Sequence, residues 1–200
     1  KKYKDAREWL DKTDPSEIDT AYVAAYHFKL GYSNFQLGDY TAARNEFYDI
    51  KDGNSSFSAP ALYYYSHIAY KNETYQEALD GFLVLREDPV FKDEVPFYIT
   101  QIYYLLGDYE KVTEYAPEYN SEGKGIARNT AEMNLVIGDA YYKVDKFDEA
   151  VAYLEDYNNR SQTTRQQDYA LAFSYFKSKQ YDDAIRMFDR VSRTEDKLGQ

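Results

Sequence analysis

Leu30-Gly31-Tyr32-Ser33-Asn34-Phe35-Gln36-Leu37-Gly38-Asp39-Tyr40-Thr41-Ala42-Ala43-Arg44-Asn45-Glu46-Phe47 reads as one helical hairpin. Gly31 lets a second helix approach the first closely, and Ala43 is a second close-approach point. Gly38, just past the first helix, suits the left-handed conformation that closes a helix. Tyr40 and Phe47 supply the bulk. With Tyr40 as a marker, equivalents fall at Tyr3, Tyr75, Tyr109, Phe147 and Tyr181, so the successive spacings are 37, 35, 34, 38 and 34. A period of about 34 residues means stacked helix pairs.

Companion positions keep the same phase. Three residues after the marker stand Ala6, Ala43, Ala78, Val112, Ala150 and Ala184; seven after it stand Leu10, Phe47, Phe82, Ala116, Leu154 and Phe188. Nine before it stand the small residues Gly31, Ser66, Thr100, Gly138 and Ala172. This is a packing code, and the large residues are expected to be buried at the marker and seven after it. On that reading Phe188→Ala costs about 3–5 kcal/mol.

The pattern resembles the tetratricopeptide repeat, whose signature is Leu-Gly and Tyr in the first helix, then Ala and Phe in the second. Leu30-Gly31, Ala43 and Phe47 match in the first full copy, Gly138, Tyr141 and Ala150 in the fourth, and Leu171, Tyr175, Ala184 and Phe188 in the fifth. The chain departs at the family's first aromatic position, which holds His27, Leu62, Pro96, Asn134 and Asp168, and at Asn34. The resemblance implies an all-α fold, a right-handed α-solenoid of antiparallel helix pairs.

The repeat boundaries expected from the phase are a lone second helix over 1–14, full repeats over 15–56, 57–92, 93–125, 126–161 and 162–194, and the start of another at 195–200. Such ends suggest a piece of a longer array. Asp14-Pro15-Ser16-Glu17 reads as a helix start, with an N-cap acid and proline at the first helical position. Pro117 is expected to cut the second helix of the third repeat to about two turns, because proline cannot continue the ladder. Residues 117–125 are then a candidate hinge.

Composition narrows the function. Among 200 residues there is no cysteine, so no disulfide or thiolate metal site is available. The net charge of −11 argues against nucleic acid and anionic membranes as partners. No apolar run approaches the roughly 18 residues of a membrane span. His27 and His67 lie in different repeats without a second ligand at helical spacing, so no metal site is expected. No nucleophile elbow, phosphate loop or dinucleotide fingerprint is present, and neither an enzyme nor a cofactor is expected.

Tyrosine is the informative residue, 24 of 200. Positions twelve, eight and five before the marker share one face of each first helix. They read Phe28, Tyr32 and Phe35; Tyr63, His67 and Tyr70; Phe97, Gln101 and Tyr104; Leu135, Asp139 and Tyr142; Tyr169, Phe173 and Phe176. The resemblance implies that this stripe lines the concave groove. Phe35, Tyr70, Tyr104, Tyr142 and Phe176 are expected to fill the seam with the following repeat. The other ten, with Tyr32, His67, Gln101, Asp139 and Phe173 as a free middle row, are expected to contact a partner protein or peptide. The basic, asparagine-rich clamp of the family's peptide-terminus binders is missing.

A binding scaffold is therefore the leading expectation. The alternative is a structural spacer or self-associating element of a larger protein. Wording such as Ala61-Leu62-Tyr63-Tyr64-Tyr65 also resembles long repeat proteins of Bacteroides-type bacteria, which implies a periplasmic or outer-membrane setting.

Overall fold

A computed structural model describes residues 2–120 and 130–193. Among them are eleven α-helices and no strand: α1 (Lys2–Leu10), α2 (Thr20–Gln36), α3 (Tyr40–Tyr48), α4 (Ser58–Lys71), α5 (Tyr75–Val84), α6 (Val95–Leu106), α7 (Tyr109–Asn120), α8 (Thr130–Lys143), α9 (Phe147–Arg160), α10 (Arg165–Lys177) and α11 (Tyr181–Arg193). The chain forms two compact units, residues 1–102 and 103–200. The expected connector over 121–125 and the expected further repeat over 195–200 lie outside the described residues.

Each unit is built of antiparallel pairs, α2 with α3 and α4 with α5 in the first, α8 with α9 and α10 with α11 in the second. The small residue nine before the marker sets how close a pair comes. A methyl group added at Gly31 would stand 2.8 Å from the Phe47 ring, and one at Gly138 2.8 Å from Leu154. Ser66, Thr100 and Ala172 in the same place have no exposed surface. The cores are the residues that meet there: Ala43, Phe47, Ala61 and Ile68 in one unit, Ile137, Ala150, Leu154 and Leu171 in the other.

All five hairpin turns have the same backbone. The residue two before the marker is left-handed in each: Gly38 (φ 81°), Glu73 (61°), Gly107 (77°), Asp145 (59°) and Lys179 (63°). The next amide, of Asp39, Thr74, Asp108, Lys146 and Gln180, donates back five residues at 2.9 to 3.0 Å. That bond is the mark of the Schellman closure, which satisfies carbonyls the helix end leaves open. The cap, rather than glycine, is what repeats.

Three sequence expectations need correction. Asp14 does not open the long helix. Its carboxylate caps a single 3-10 turn, Pro15–Glu17, after which Ile18 is extended, and α2 starts at Thr20 with Asp19 as its cap. Pro117 does not shorten α7, which runs three turns to Asn120. Proline leaves the carbonyl four residues back without its helical donor. That carbonyl belongs to Thr113, and it accepts from Tyr141 Oη at 3.4 Å.

The third correction concerns burial. Tyr40, Tyr75, Tyr109 and Phe147 are only half-buried, and Tyr181 is exposed. Their rings lie along the hairpin edge rather than inside it. Seven residues on, Phe47 and Phe82 are fully buried and Leu154 nearly so, but Phe188 is half-buried. Phe47 and Phe82 are covered by helices on both sides. Among the described residues nothing follows α11 to cover Phe188.

Candidate functional site

The stripe residues are tied together by a device that recurs within each unit. The aromatic five before the marker closes its own turn, with ring centroids at 5.4 Å for Phe35 and Tyr40, 6.1 Å for Tyr70 and Tyr75, 5.5 Å for Tyr104 and Tyr109, and 6.0 Å for Tyr142 and Phe147. It also reaches the middle-row residue of the next repeat. Phe35 meets the edge of His67, Tyr70 Oη donates to Gln101 Oε1 at 2.7 Å, Tyr104 Oη donates to Asp139 Oδ2 at 2.6 Å, and Tyr142 meets the edge of Phe173. The middle row is therefore half-buried and engaged. A free middle row was the expectation, and the seam takes it.

Each predicted contact residue has a definite place. Phe28 stacks on Tyr32, and Tyr32 meets the edges of Tyr3 and Tyr64. Tyr63 is stacked on Phe91 at 4.7 Å and packed into the unit. His67 sits among Phe35, Tyr63 and Tyr98, its Nδ1 buried without a hydrogen-bond partner. The reason is readable in the relay: the preceding aromatic there is Phe35, which has no hydroxyl. Phe97 lies half-buried against Tyr98, and Leu135 is half-buried. Tyr169 is exposed, stacked on Phe173 and edge-on to Phe188.

Two clefts include the stripe residues Phe28, Tyr32 and Tyr169; Phe176, expected to fill a seam, is instead half exposed and lines neither, because among the described residues no repeat follows α11 to cover it. In the first unit a cleft of about 460 Å³ is lined by Tyr3, Trp9, Leu10, Phe28, Lys29 and Tyr32. In the second a cleft of about 760 Å³ is lined by Thr164, Arg165, Gln166, Tyr169, Phe188 and Val191. Each offers aromatic walls and a basic rim on a chain that is acidic overall. Sequence periodicity found Phe28, Tyr32 and Tyr169 but not the cleft walls contributed by α1 and α11. The phase of the second helix, read for its outward face, would have pointed to them.

Burial dominates the electrostatics. It pushes the Tyr64 phenol up to about 12, aided by Tyr32, and also raises Tyr104, aided by Asp139. These hydroxyls act as hydrogen-bond donors rather than acids. Burial lowers His67 below its ordinary value of 6.5, with the Lys71 charge acting the same way. His27 Nδ1 lies 2.8 Å from Glu46 Oε2. Among the described residues no three His, Asp or Glu side chains are grouped to hold a metal ion.

Asp168 stands where the repeat signature expects an aromatic ring, and it is 2 % exposed. Its carboxylate accepts from Asn158 Nδ2 at 2.9 Å and Thr163 Oγ1 at 2.6 Å and pairs with Arg190 Nε at 3.0 Å. A buried charge satisfied on every side is structural.

Comparison with known proteins agrees with the fold. Residues 168–194 match the tetratricopeptide repeat family. Among solved structures the chain is similar to MamA AMB-1, with a TM-score of 0.68 at 16% identity over 84% of this chain and 90% of that one. It is also similar to YrrB, described as a TPR protein with an unusual peptide-binding site, with a TM-score of 0.68 at 15% identity over 96% of this chain and 91% of that one. No curated protein matches the chain. The matched repeat and the shared fold together support a tetratricopeptide-type repeat protein. Among the described residues no helix is long and apolar enough to cross a membrane.

Proposed function

We propose that this chain is a non-enzymatic interaction scaffold that holds a peptide or partner segment on the first-helix stripe of its repeats. The observation that carries the reading is the pair of aromatic clefts, at Phe28 and Tyr32 in one unit and at Tyr169 in the other. Phenol and indole walls give contact area at little conformational cost, and hydroxyls orient what binds. The other stripe residues, Tyr63, His67, Phe97, Gln101, Leu135, Asp139 and Phe173, are half-buried in packing within their own units and do not touch the ligand first. The peptide-binding site named for YrrB fits the same use. Both histidines are taken up in packing and pairing and line neither cleft.

The test is a displayed random-peptide library panned on the chain and on a Tyr32→Ala, Tyr169→Ala variant of unchanged helicity. Peptides enriched on the parent and not on the variant are the expected result. Equal enrichment on both, or none on either, overturns the cleft reading.

Exposed apolar residues elsewhere, Val84 and Val90 in one unit and Ile185 in the other, favour the second reading, a self-associating element of a larger protein. Mass that rises with concentration in light scattering, and falls back in Val84→Lys or Ile185→Lys, is its signature. An envelope setting rests on the tyrosine-rich wording alone.

A further inference from the structure

We propose that a third cleft, beside Tyr65 in the first unit, binds a lysine or arginine side chain of a protein partner. The cleft encloses about 450 Å³ and is lined by Lys51, Asp52 and Gly53 after α3, Leu62 and Tyr65 of α4, and Glu77, Asp80, Gly81 and Val84 of α5. It lies away from the Phe28 and Tyr32 cleft, shares no residue with it, and stands whether or not that cleft binds peptide.

The starting point is a broken packing rule. Ten residues before the marker the chain places Leu30, Ile99, Ile137 and Leu171, all buried aliphatics, and in the second repeat Tyr65. A buried phenol in an aliphatic position demands polar partners, and they are there. Tyr65 Oη donates to Glu77 Oε1 at 2.5 Å, Arg44 Nη2 donates to Tyr65 Oη at 2.9 Å, and Arg44 pairs with Glu77 at 2.6 Å. None of the other repeats has this combination of residues at the same positions.

The Tyr65 ring already attracts cations. The Arg44 guanidinium stands 4.8 Å from its centroid, and the Lys51 ammonium stands 5.3 Å from it and 5.1 Å from Tyr48. Lys51 also pairs with Asp52. Its side chain, anchored on the edge of the cleft, behaves as a resident stand-in for a guest. With both cations in place the three carboxylates Asp52, Glu77 and Asp80 leave one net negative charge, and the space is still open.

Among the described residues the Asp80 carboxylate accepts only from the neutral Gln76 amide, at 2.9 Å. Leu62 and exposed Val84 offer apolar wall for an aliphatic stem. A long side chain with a cationic head matches all three features, since the ring face and carboxylates take the head and the aliphatic wall takes the stem. A neutral apolar side chain matches only the wall, and an anion is repelled.

The experiment is a titration of the whole chain with N-acetyl-lysine N-methylamide, and separately with its neutral norleucine analogue. The amide resonances of Gly53 and Gly81 are the readout. The lysine probe is expected to move both signals saturably and the norleucine analogue to leave them in place. Asp80→Asn, an exposed substitution, weakens the lysine response, and Lys51→Met, which removes the competing ammonium, tightens it about two- to five-fold, the worth of one exposed cation–π contact. Signals unmoved by the lysine probe in both the parent and Lys51→Met, or moved equally by norleucine, overturn the proposal.

Discussion

Phe47 and Phe188 hold the same place in their repeats, yet one is fully buried and the other only half. Phe47→Ala is expected to cost about 3–5 kcal/mol and Phe188→Ala about half of that, as urea midpoints would measure. His67 contributes a pH dependence near neutrality. Its native pKa lies below the ordinary 6.5, so the native state binds fewer protons than the unfolded chain near that value. Stability is thus intact above pH 6.5 and is lost as pH falls through it. His67→Phe, isosteric with the surrounding rings, removes that acid slope; an unchanged slope in the variant would refute the assignment. Burial of residues such as Gly31 and Phe47 was legible from spacing alone, because repetition exposes what must touch. Burial at Phe188 was not, because spacing records a position without saying whether another helix covers it.

At the scale of the element, the turns separate what a sequence shows from what it hides. Gly38 and Gly107 announce their left-handed conformation, while Glu73, Asp145 and Lys179 adopt the same one without announcing it. A left-handed residue with a Cβ costs about 1–2 kcal/mol, and the two closing hydrogen bonds outweigh it. Lys179→Gly is therefore expected to stabilise its unit by about 0.5–1 kcal/mol after the entropy of glycine is set against the relief. Thermal unfolding of the variant tests this, and a lower melting temperature would count against it. The seams were half legible. Tyr70 before Gln101 and Tyr104 before Asp139 are donor and acceptor one repeat apart, a pairing visible once the phase is known. Removing one hydroxyl in Tyr104→Phe is expected to cost about 1.5–3 kcal/mol, since it leaves a half-buried carboxylate short of a donor, whereas Phe35→Tyr supplies the hydroxyl that His67 lacks.

For the molecule as a whole, stability is spread over many equivalent contacts, as repeat proteins require. The fold was legible because a period survives local departures such as Asn34 and Asp168. The candidate site was legible in part: periodicity marked the stripe, but which of its residues keep open surface depends on neighbours up to a repeat away. An acidic chain with a sequence pI near 4.7 is expected to be least soluble near that pH, which turbidity would check. The ladder of touching rings from Tyr3 through Tyr32 to Tyr64 has a further use. It runs beside Trp9, the single indole among 24 phenols. Light absorbed by those phenols can pass to the indole by resonance transfer, so the ratio of the two emissions is a built-in optical gauge. It reads whether the ladder is assembled, with no dye attached, and it shifts when a guest covers the Trp9 ring.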